Sequence, residues 1–468
     1  MPWLVRVLWL PGMCPQMQLW RAIRHGLSAK RKHSMGGNGT TIVILGFGKI
    51  GQAFGAYILR AGYSVMAIDR DATLTEFFRN GDYRSDEPGV AGLLTEAYSS
   101  GTLTVQTDAQ EAGTPAAVIV TIPFSITEEK VPDAGSFING VRSILPLLQG
   151  NMPLVIETSV PVGFCRNQLL PALSGDGKVH GRDYLLAHSP ERIKSGTMLG
   201  QLDSVPKVIG GIDALATATV HRIYEGIFPK GNVSVLPGIE SAEMVKMAGM
   251  LYRDVNIALA NQLAVFAGVS GVDLVSLLPL INSDAEARLL QPGIGVGGHC
   301  TPVYPYFMID AFRRAGLEFP LAGEARKQNE GMALYAAGIV QDFIGGTPGT
   351  GIKHVTVLGL AFRPGVKEDA FSPAYILVRQ LETLGYRVLV HDPLYTAAEL
   401  EARGFTATDN PYAEGSVAVV LVTMHSFYLS LDMDKLASAG VKLLVDGRNS
   451  IDPATVQAAG IVYRGIGR

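Results

Sequence analysis

Short segments with an apolar centre recur in the first half of the chain, at 41–46, 64–69, 117–121, 154–157 and 207–210. A continuous apolar run of this kind is typical of a strand buried on both faces of a sheet. Segments with helical spacing separate several of these runs, and the first of them ends at about residue 61. This strand–helix–strand order predicts an α/β domain with a doubly wound sheet.

A long stretch of helical spacing follows, from about residue 240 to 267, and predicts a helix that connects two domains. A second α/β pattern has buried strands predicted at 355–359, 387–391 and 417–421. The segment 345–351, rich in glycine and proline, is predicted to mark the boundary before it. We therefore predict an α/β protein in which a central long-helix domain joins two Rossmann-like doubly wound domains. The predicted domain ranges are 39–236, 237–345 and 346–468.

The first 34 residues carry several arginines and lysines and no acidic residue. Arg6 interrupts their apolar run, and no small-residue cleavage site follows, which argues against a secretory signal. We predict that 1–38 is a leader that is disordered or reflects a mis-assigned start, with Met35 as the candidate initiator. A transit-like segment is the alternative.

Composition narrows the class of protein. The chain of 468 residues is 47% hydrophobic and 17% charged, with a formal net charge of −3, which favours a folded protein and argues against a nucleic-acid binder. No apolar run reaches the roughly 20 residues of a membrane span. The cysteines Cys14, Cys165 and Cys300 predict a reducing compartment, the cytoplasm, and no spacing resembles a metal site.

Gly46, Gly48 and Gly51 fit the pattern G-x-G-x-x-G between the first predicted strand and helix. In this position the glycines permit a tight turn, a close approach to a pyrophosphate and close helix–strand packing. Asp69 ends the next strand, where a carboxylate accepts from a ribose 2′-OH and repels a 2′-phosphate. The fingerprint predicts NAD, although Arg70 leaves some room for NADP. A structural turn without a cofactor is the alternative.

Two further residues are candidates for chemistry. Cys300 directly follows a glycine-rich loop, where its thiolate could add to an aldehyde, although a lone cysteine is more often a buried apolar residue. Lys246 has strongly apolar neighbours on the long helix. It is therefore either a solvated surface lysine or a partly buried functional one.

Five motifs, in order from Thr41 to the C-terminus, resemble the UDP-glucose/GDP-mannose dehydrogenase family. They are Glu157-Thr-Ser-Val-Pro-Val-Gly163, Ser189-Pro-Glu-Arg-Ile193, Tyr252-Arg-Asp-Val-Asn-Ile-Ala-Leu-Ala-Asn261, Gly295-Val-Gly-Gly-His-Cys300-Thr-Pro302 and Tyr463-Arg-Gly-Ile-Gly-Arg468. The chain looks most similar to the branch that oxidises UDP-N-acetylmannosamine or UDP-N-acetylglucosamine, because the Pro-Lys-Asp that typically follows the cysteine in the UDP-glucose branch is absent.

The resemblance implies oxidation of the C6 alcohol of a UDP-sugar, a UDP-hexose or UDP-N-acetylhexosamine, by two successive hydride transfers to NAD. On that pattern Cys300 is the nucleophile that forms a thiohemiacetal and then a thioester. Lys246 stabilises oxyanion charge, and Glu191 moves protons or positions water. Ser159 stands where the family often has a cofactor-side threonine.

The resemblance also assigns the remaining binding residues and the domains. The expected substrate-binding residues are Arg288, Gly297, Gly298 and Arg363, although Arg288 matches a family arginine only with a two-residue deletion. The N-terminal domain is expected to bind NAD, the central domain to carry the Cys300 loop and the C-terminal domain to bind the nucleotide sugar. A homodimer or higher homo-oligomer is expected, with the long helix at the interface.

Several positions depart from the family pattern. Met250 replaces an asparagine, Tyr304 an aspartate and Ala370 an arginine, while Arg363 keeps the positive charge of a lysine. A thioether and a neutral phenol are poor at holding or activating water, so thioester hydrolysis is expected to be impaired. Full oxidation to the uronate is the leading hypothesis. The alternatives are a two-electron or otherwise altered oxidation and a non-catalytic binding protein. A simple hydroxyacid dehydrogenase would need neither the second α/β domain nor the Cys300 loop.

Overall fold

The computed structural model describes residues 39–109, 113–229, 231–345 and 353–468. The predicted leader and all but the first residue of the predicted boundary segment lie outside these ranges. The strands are β1 (Thr41–Leu45), β2 (Ser64–Ile68), β3 (Leu103–Gln106), β4 (Ala117–Val120), β5 (Met152–Ile156), β6 (Tyr184–His188), β7 (Lys207–Gly211), β8 (Val233–Val235), β9 (His354–Leu358), β10 (Arg387–His391), β11 (Ser416–Leu421), β12 (Leu443–Asp446) and β13 (Val462–Gly465).

Helices connect most of these strands. The α-helices are α1 (Lys49–Arg60), α2 (Ala72–Asn80), α3 (Val90–Ser99), α4 (Ala134–Arg142), α5 (Leu170–Gly175), α6 (Met198–Ser204), α7 (Ala214–Ile227), α8 (Ile239–Ser270), α9 (Leu274–Ile281), α10 (Tyr304–Arg314), α11 (Pro320–Gly345), α12 (Pro373–Thr383), α13 (Ala397–Glu401), α14 (Met433–Ser438) and α15 (Pro453–Ala458). Short 3₁₀ turns lie at Leu145–Leu147 and Ser426–Ser430, and a π-helical turn at Cys165–Leu169.

The N-terminal sheet has the strand order β3-β2-β1-β4-β5-β6-β7-β8. Its strands run parallel except at the β6–β7 pair, which is antiparallel. The order reverses at β1, so the carboxyl ends of β1 and β4 flank the crevice where such sheets bind ligands. The predicted doubly wound domain is confirmed, and its apolar runs form β1, β2, β4, β5 and β7.

The C-terminal sheet is parallel throughout, with the order β10-β9-β11-β12-β13. The three strands predicted there are β9, β10 and β11. With the first sheet, this one confirms the prediction of two Rossmann-like domains.

The long helix α8 belongs to both cores. Ile239 and Met247 near its start are buried with the N-terminal sheet, whereas Ala264 and Ala267 near its end are buried with α11 and the C-terminal sheet. Midway, the Asp254 carboxylate accepts from the Arg326 guanidinium of α11 at 2.6 Å, and both side chains are buried. The helix is therefore anchored at three levels, and it fixes the site residues it carries relative to both sheets.

Among the helices of the described residues, none combines the length of a membrane span with its apolar character.

Candidate active site

The turn between β1 and α1 is shaped for a phosphate group. Gly46 has φ +89°, and a Cβ built on Gly51 would lie 2.1 Å from the Gly46 carbonyl oxygen, so neither position accepts a side chain. A Cβ built on Gly48 meets no atom within 4 Å. This open face lies at the N-terminus of α1, whose free amides favour an anion. The turn therefore fits a dinucleotide pyrophosphate.

Asp69 follows β2 at the edge of this turn. Its carboxylate accepts from the backbone N–H of Phe47 at 2.6 Å and of Asp71 at 3.0 Å. These bonds hold the carboxylate beside the glycine loop, where it is only partly buried, and Arg70 next to it is exposed. Asp69 thus keeps a side toward solvent from which it can accept from a ribose hydroxyl.

Lys246 and Glu191 form an ion pair in a buried position. Glu191 lies in the segment after β6, and α8 brings the Lys246 ammonium within 3.3 Å of its carboxylate. The ammonium also donates to the Glu191 carbonyl oxygen. Only 7% of the Lys246 side chain and 12% of the Glu191 side chain are exposed. Lys246 is therefore not a solvated surface lysine.

Cys300 lies beside this pair. It precedes α10, and its Sγ is 3.6 Å from the hydroxyl of Tyr304, one helical turn later. The Lys246 ammonium is 5.9 Å from the centre of the Tyr304 ring. Ser159, which follows β5, lies near the same phenol, and its hydroxyl opposes the rise that burial causes in the Tyr304 pKa. The structure thus gathers Cys300, Lys246, Glu191 and Ser159 around Tyr304.

Two of the residues expected to depart from the family pattern, Tyr304 and Met250, lie in or beside this cluster. Tyr304 is 9% exposed and belongs to the apolar core of the N-terminal domain, against which Met250 and Cys300 also pack. Met250 lies one turn after Lys246 on α8. Burial raises the pKa of Tyr304 well above its usual value, and the nearby Cys300 raises it further. The phenol is consequently neutral near pH 7.

The glycine loop before Cys300 rests on the C-terminal domain. Gly298 has φ +101° and donates its N–H to the carbonyl of Ala370 at 2.7 Å. A Cβ on Gly297 would lie 2.6 Å from Cβ of Phe362. Next to Phe362, the Arg363 guanidinium donates to the Ser195 carbonyl oxygen at 2.6 Å, across the cleft between the domains. These glycines allow close packing of the loop on the C-terminal domain, and Arg363 lies in the cleft.

Arg288 is placed differently from the other predicted substrate-binding residues. It is exposed in the segment between α9 and α10, and its carbonyl oxygen accepts from the Asn256 side chain of α8 at 2.7 Å. Within the described residues, no hydrogen bond or ion pair joins its side chain to the cluster around Cys300. Its assignment to the substrate site remains a prediction.

A buried ionic network that the sequence patterns did not predict lies next to Glu191. Glu157, at the end of β5, accepts from the Lys207 ammonium at 2.6 Å and from the Tyr224 hydroxyl. Its backbone carbonyl accepts from the N–H of Glu191 at 3.0 Å. Burial raises the pKa of Glu157, while Lys207 opposes that shift. The sequence signal that could have indicated this network is that Glu157 ends one apolar run and Lys207 begins another.

No group of three or more histidine, cysteine, aspartate or glutamate side chains within the described ranges is arranged to hold a metal ion.

Comparison with known proteins identifies the family. Sequence models of three successive domains match the chain: the NAD binding domain at 40–228, the central domain at 240–331 and the UDP binding domain at 356–453. The chain belongs to the UDP-glucose/GDP-mannose dehydrogenase family. It is accordingly an NAD-dependent nucleotide-sugar dehydrogenase, as the resemblance predicted, and its UDP binding domain excludes the simple hydroxyacid dehydrogenase.

Individual relatives cover nearly the whole chain. It is 30% identical over 431 residues to the UDP-N-acetyl-D-mannosamine dehydrogenase of Pyrococcus horikoshii. The match covers 91% of this chain and 99% of that protein. The solved structure of that archaeon's UDP-D-ManNAc dehydrogenase matches with a TM-score of 0.81 at 28% identity, over 92% of this chain and 99% of that one. The NDP-N-acetyl-D-galactosaminuronic acid dehydrogenase of Ralstonia nicotianae is 28% identical over 424 residues, covering 87% of this chain and 95% of that protein.

Proposed function

We propose that this protein oxidises the C6 alcohol of a UDP-N-acetylhexosamine toward the uronate, with NAD as acceptor and Cys300 as nucleophile. The observation that carries the proposal is the convergence of Cys300, Lys246 and Glu191 at one buried cluster beside the cleft between the domains. The relatives named for acetylated amino sugars support this substrate class over a plain UDP-hexose.

Each side chain has a distinct task in this reaction. NAD, held at the Gly46–Gly51 turn, supplies the hydride acceptor. The Lys246 ammonium, fixed by Glu191, stabilises negative charge on the sugar oxygen. The Cys300 sulfur adds to the C6 aldehyde, and the thioester formed after the second oxidation is hydrolysed to the uronate. Glu191 is the carboxylate available to accept a proton from the attacking water.

A screen of UDP- and GDP-sugars with NAD tests the proposal, following NADH absorbance and product mass together. We expect NADH and an oxidised sugar with a UDP-N-acetylhexosamine. Faster turnover of a UDP-hexose or a GDP-sugar would correct the substrate class. Tight NAD and UDP-sugar binding with no NADH from any sugar would favour the non-catalytic alternative.

Cofactor preference follows from Asp69. Because the two backbone bonds orient its carboxylate beside the glycine loop, we propose that it accepts from the ribose 2′-OH and repels a 2′-phosphate. Asp69→Ala should weaken NAD binding roughly 10-fold or more, the scale of a lost charged hydrogen bond, and should relax the preference against NADP. Titration with both cofactors measures this.

Asp71→Ala is the matched control for Asp69→Ala. It removes the carboxylate that caps α2 through the Thr73 N–H at 3.0 Å, two residues from Asp69. The control should loosen the same region without changing the ratio of NAD to NADP affinity. Equal or tighter NADP binding by the natural sequence would overturn the assignment.

We also propose a homodimer formed through α8. Leu259, Leu263 and Phe266 lie at helical spacing on one face of this helix and are 53%, 38% and 66% exposed. Such a face on a long helix is typical of an interface. Phe266→Glu should convert a dimer to a monomer in light scattering after size-exclusion chromatography. Phe77→Glu, at a 50% exposed position on α2, should leave the mass unchanged. A monomeric natural protein would refute this interface.

A further inference from the structure

The phenol of Tyr304 lies beside the Cys300 thiol at the centre of the site. The thiol sulfur is 3.6 Å from the phenol oxygen, and the Ser159 hydroxyl opposes the rise that burial causes in the Tyr304 pKa. A tyrosine hydroxyl has one proton to donate and two lone pairs to accept with. With the Cys300 thiol donating to the oxygen, the phenol's own proton is free for another partner.

Packing holds this phenol in place. Tyr304 is in the first turn of α10, and the helix fixes its spacing from Cys300. Its ring lies 5.3 Å from that of Phe307, centre to centre, within the buried core. The Lys246 ammonium, which pairs with Glu191, lies 5.9 Å from the centre of the Tyr304 ring. The ring therefore borders the region assigned to the sugar oxygen.

We propose that Tyr304 is a catalytic residue that relays the Cys300 proton to the aldehyde oxygen when the thiol is added to the substrate, an inference that rests on the proposed function. The sulfur–carbon bond forms as the C=O π bond breaks. The thiol proton passes to the phenol oxygen, and the phenol proton passes to the new alkoxide. The product is a neutral hemithioacetal and the phenol is regenerated, so no external acid, base or oxidant is needed.

The chemistry of a neutral phenol suits this exchange. Because burial raises the pKa of Tyr304, the group retains a proton to give, which an ionised carboxylate at the same position would lack. The transferring atoms form a ring of sulfur, carbon, two oxygens and two protons. The only protein groups in this ring are the Cys300 thiol and the Tyr304 hydroxyl, whose sulfur and oxygen are 3.6 Å apart. The same hydroxyl can donate to the thiolate in the absence of substrate.

Chemical modification of Cys300 tests the relay without an identified substrate. The full-length protein is treated with iodoacetamide at pH 7, and alkylation of Cys300 is followed by peptide mass spectrometry. Tyr304→Phe should slow alkylation by roughly 3–10-fold, because the thiolate loses a charged hydrogen bond while gaining some intrinsic nucleophilicity. Ser159→Ala should cause a smaller decrease.

A small aldehyde tests the proton transfer itself. Glycolaldehyde forms hemithioacetals with thiols and should protect Cys300 when it is added before iodoacetamide. The onset of protection should be roughly 100-fold slower in Tyr304→Phe, the lower end of what positioned acid–base groups contribute. Tyr306→Phe is the matched control. Tyr306 lies on the same helix as Tyr304, but its hydroxyl donates to Glu330 of α11 at 2.9 Å, so its loss should not affect Cys300.

The outcomes separate the relay from the proposed function. Circular dichroism of each variant shows whether it is folded, and Ser159→Ala carries the test if Tyr304→Phe is not. If Cys300 of the natural sequence reacts no faster than the buried Cys165, the thiol is not activated and the proposed function loses its nucleophile. If Cys300 reacts rapidly and Tyr304→Phe matches the natural rates, the relay is wrong and the proposed function stands.

Discussion

Replacing Cys300 by serine should abolish uronate formation and leave the first oxidation of the sugar intact. The sulfur is the only group of the cluster able to form a thioester, and its loss should slow the second oxidation by roughly 1000-fold or more, as loss of a nucleophile does in other enzymes. Lys246, Glu191 and the cofactor turn are unchanged in this variant. We therefore expect one NADH per sugar and no covalent adduct, measured by absorbance and intact mass spectrometry.

Cys165→Ala is the matched control for Cys300→Ser. Cys165 is a fully buried cysteine in the apolar core against which Cys300 packs, and burial raises the pKa of its thiol well above the usual value. Its loss should affect stability rather than the number of NADH formed. Undiminished production of uronate by Cys300→Ser would show that the aldehyde is oxidised without a thioester.

Hydrolysis of the Cys300 thioester should be the slow step in the natural protein. Met250 and Tyr304 occupy the two positions where an amide and a carboxylate were expected, and both pack in or against an apolar core. Neither side chain can hold a water molecule as a base would, although Glu191 compensates in part. We expect fewer than two NADH per sugar, or a Cys300 adduct that accumulates during turnover.

The combined change Met250→Asn and Tyr304→Asp should speed uronate formation by roughly 100-fold, the effect of restoring one polar group that stabilises the transition state. Intact mass spectrometry during turnover should show the adduct disappearing. Met244→Asn is the control, because Met244 lies on the same helix and is 41% exposed. Rapid, stoichiometric uronate from the natural sequence, with no adduct, would show that the substitutions are tolerated.

The two roles of Tyr304 are consistent with each other. A neutral phenol can pass one proton while it accepts another, which is what addition of the thiol requires. Hydrolysis instead needs a group that removes a proton from water, and a phenol with a raised pKa is a poor base. A tyrosine at position 304 in place of aspartate is therefore expected to support capture of the aldehyde and to slow release of the acid.

The sequence by itself determined the parts of this protein that depend on neighbouring residues. Apolar runs such as those of β1 and β4 predicted strands because a strand buried on both faces is apolar at nearly every position. The Gly46–Gly51 turn and Asp69 were predictable because the glycines and the carboxylate act within one β–α–β unit. The strands β3, β6, β8, β12 and β13 were missed: β3 alternates buried and exposed positions, and β8, β12 and β13 span only three or four residues each.

Only the tertiary structure decided how the site is assembled. Glu191 follows β6, Lys246 belongs to α8 and Cys300 precedes α10, and no sequence spacing relates the three. Whether Lys246 was solvated or buried depended on the core into which α8 packs, because the same helical pattern serves a surface lysine and a buried one. The contact of Tyr304 with Cys300 and Ser159 likewise exists because the sheet brings the end of β5 next to the first turn of α10. Long-range packing, which periodicity does not encode, places the Tyr304 hydroxyl beside the Cys300 thiol at a position where an aspartate was expected.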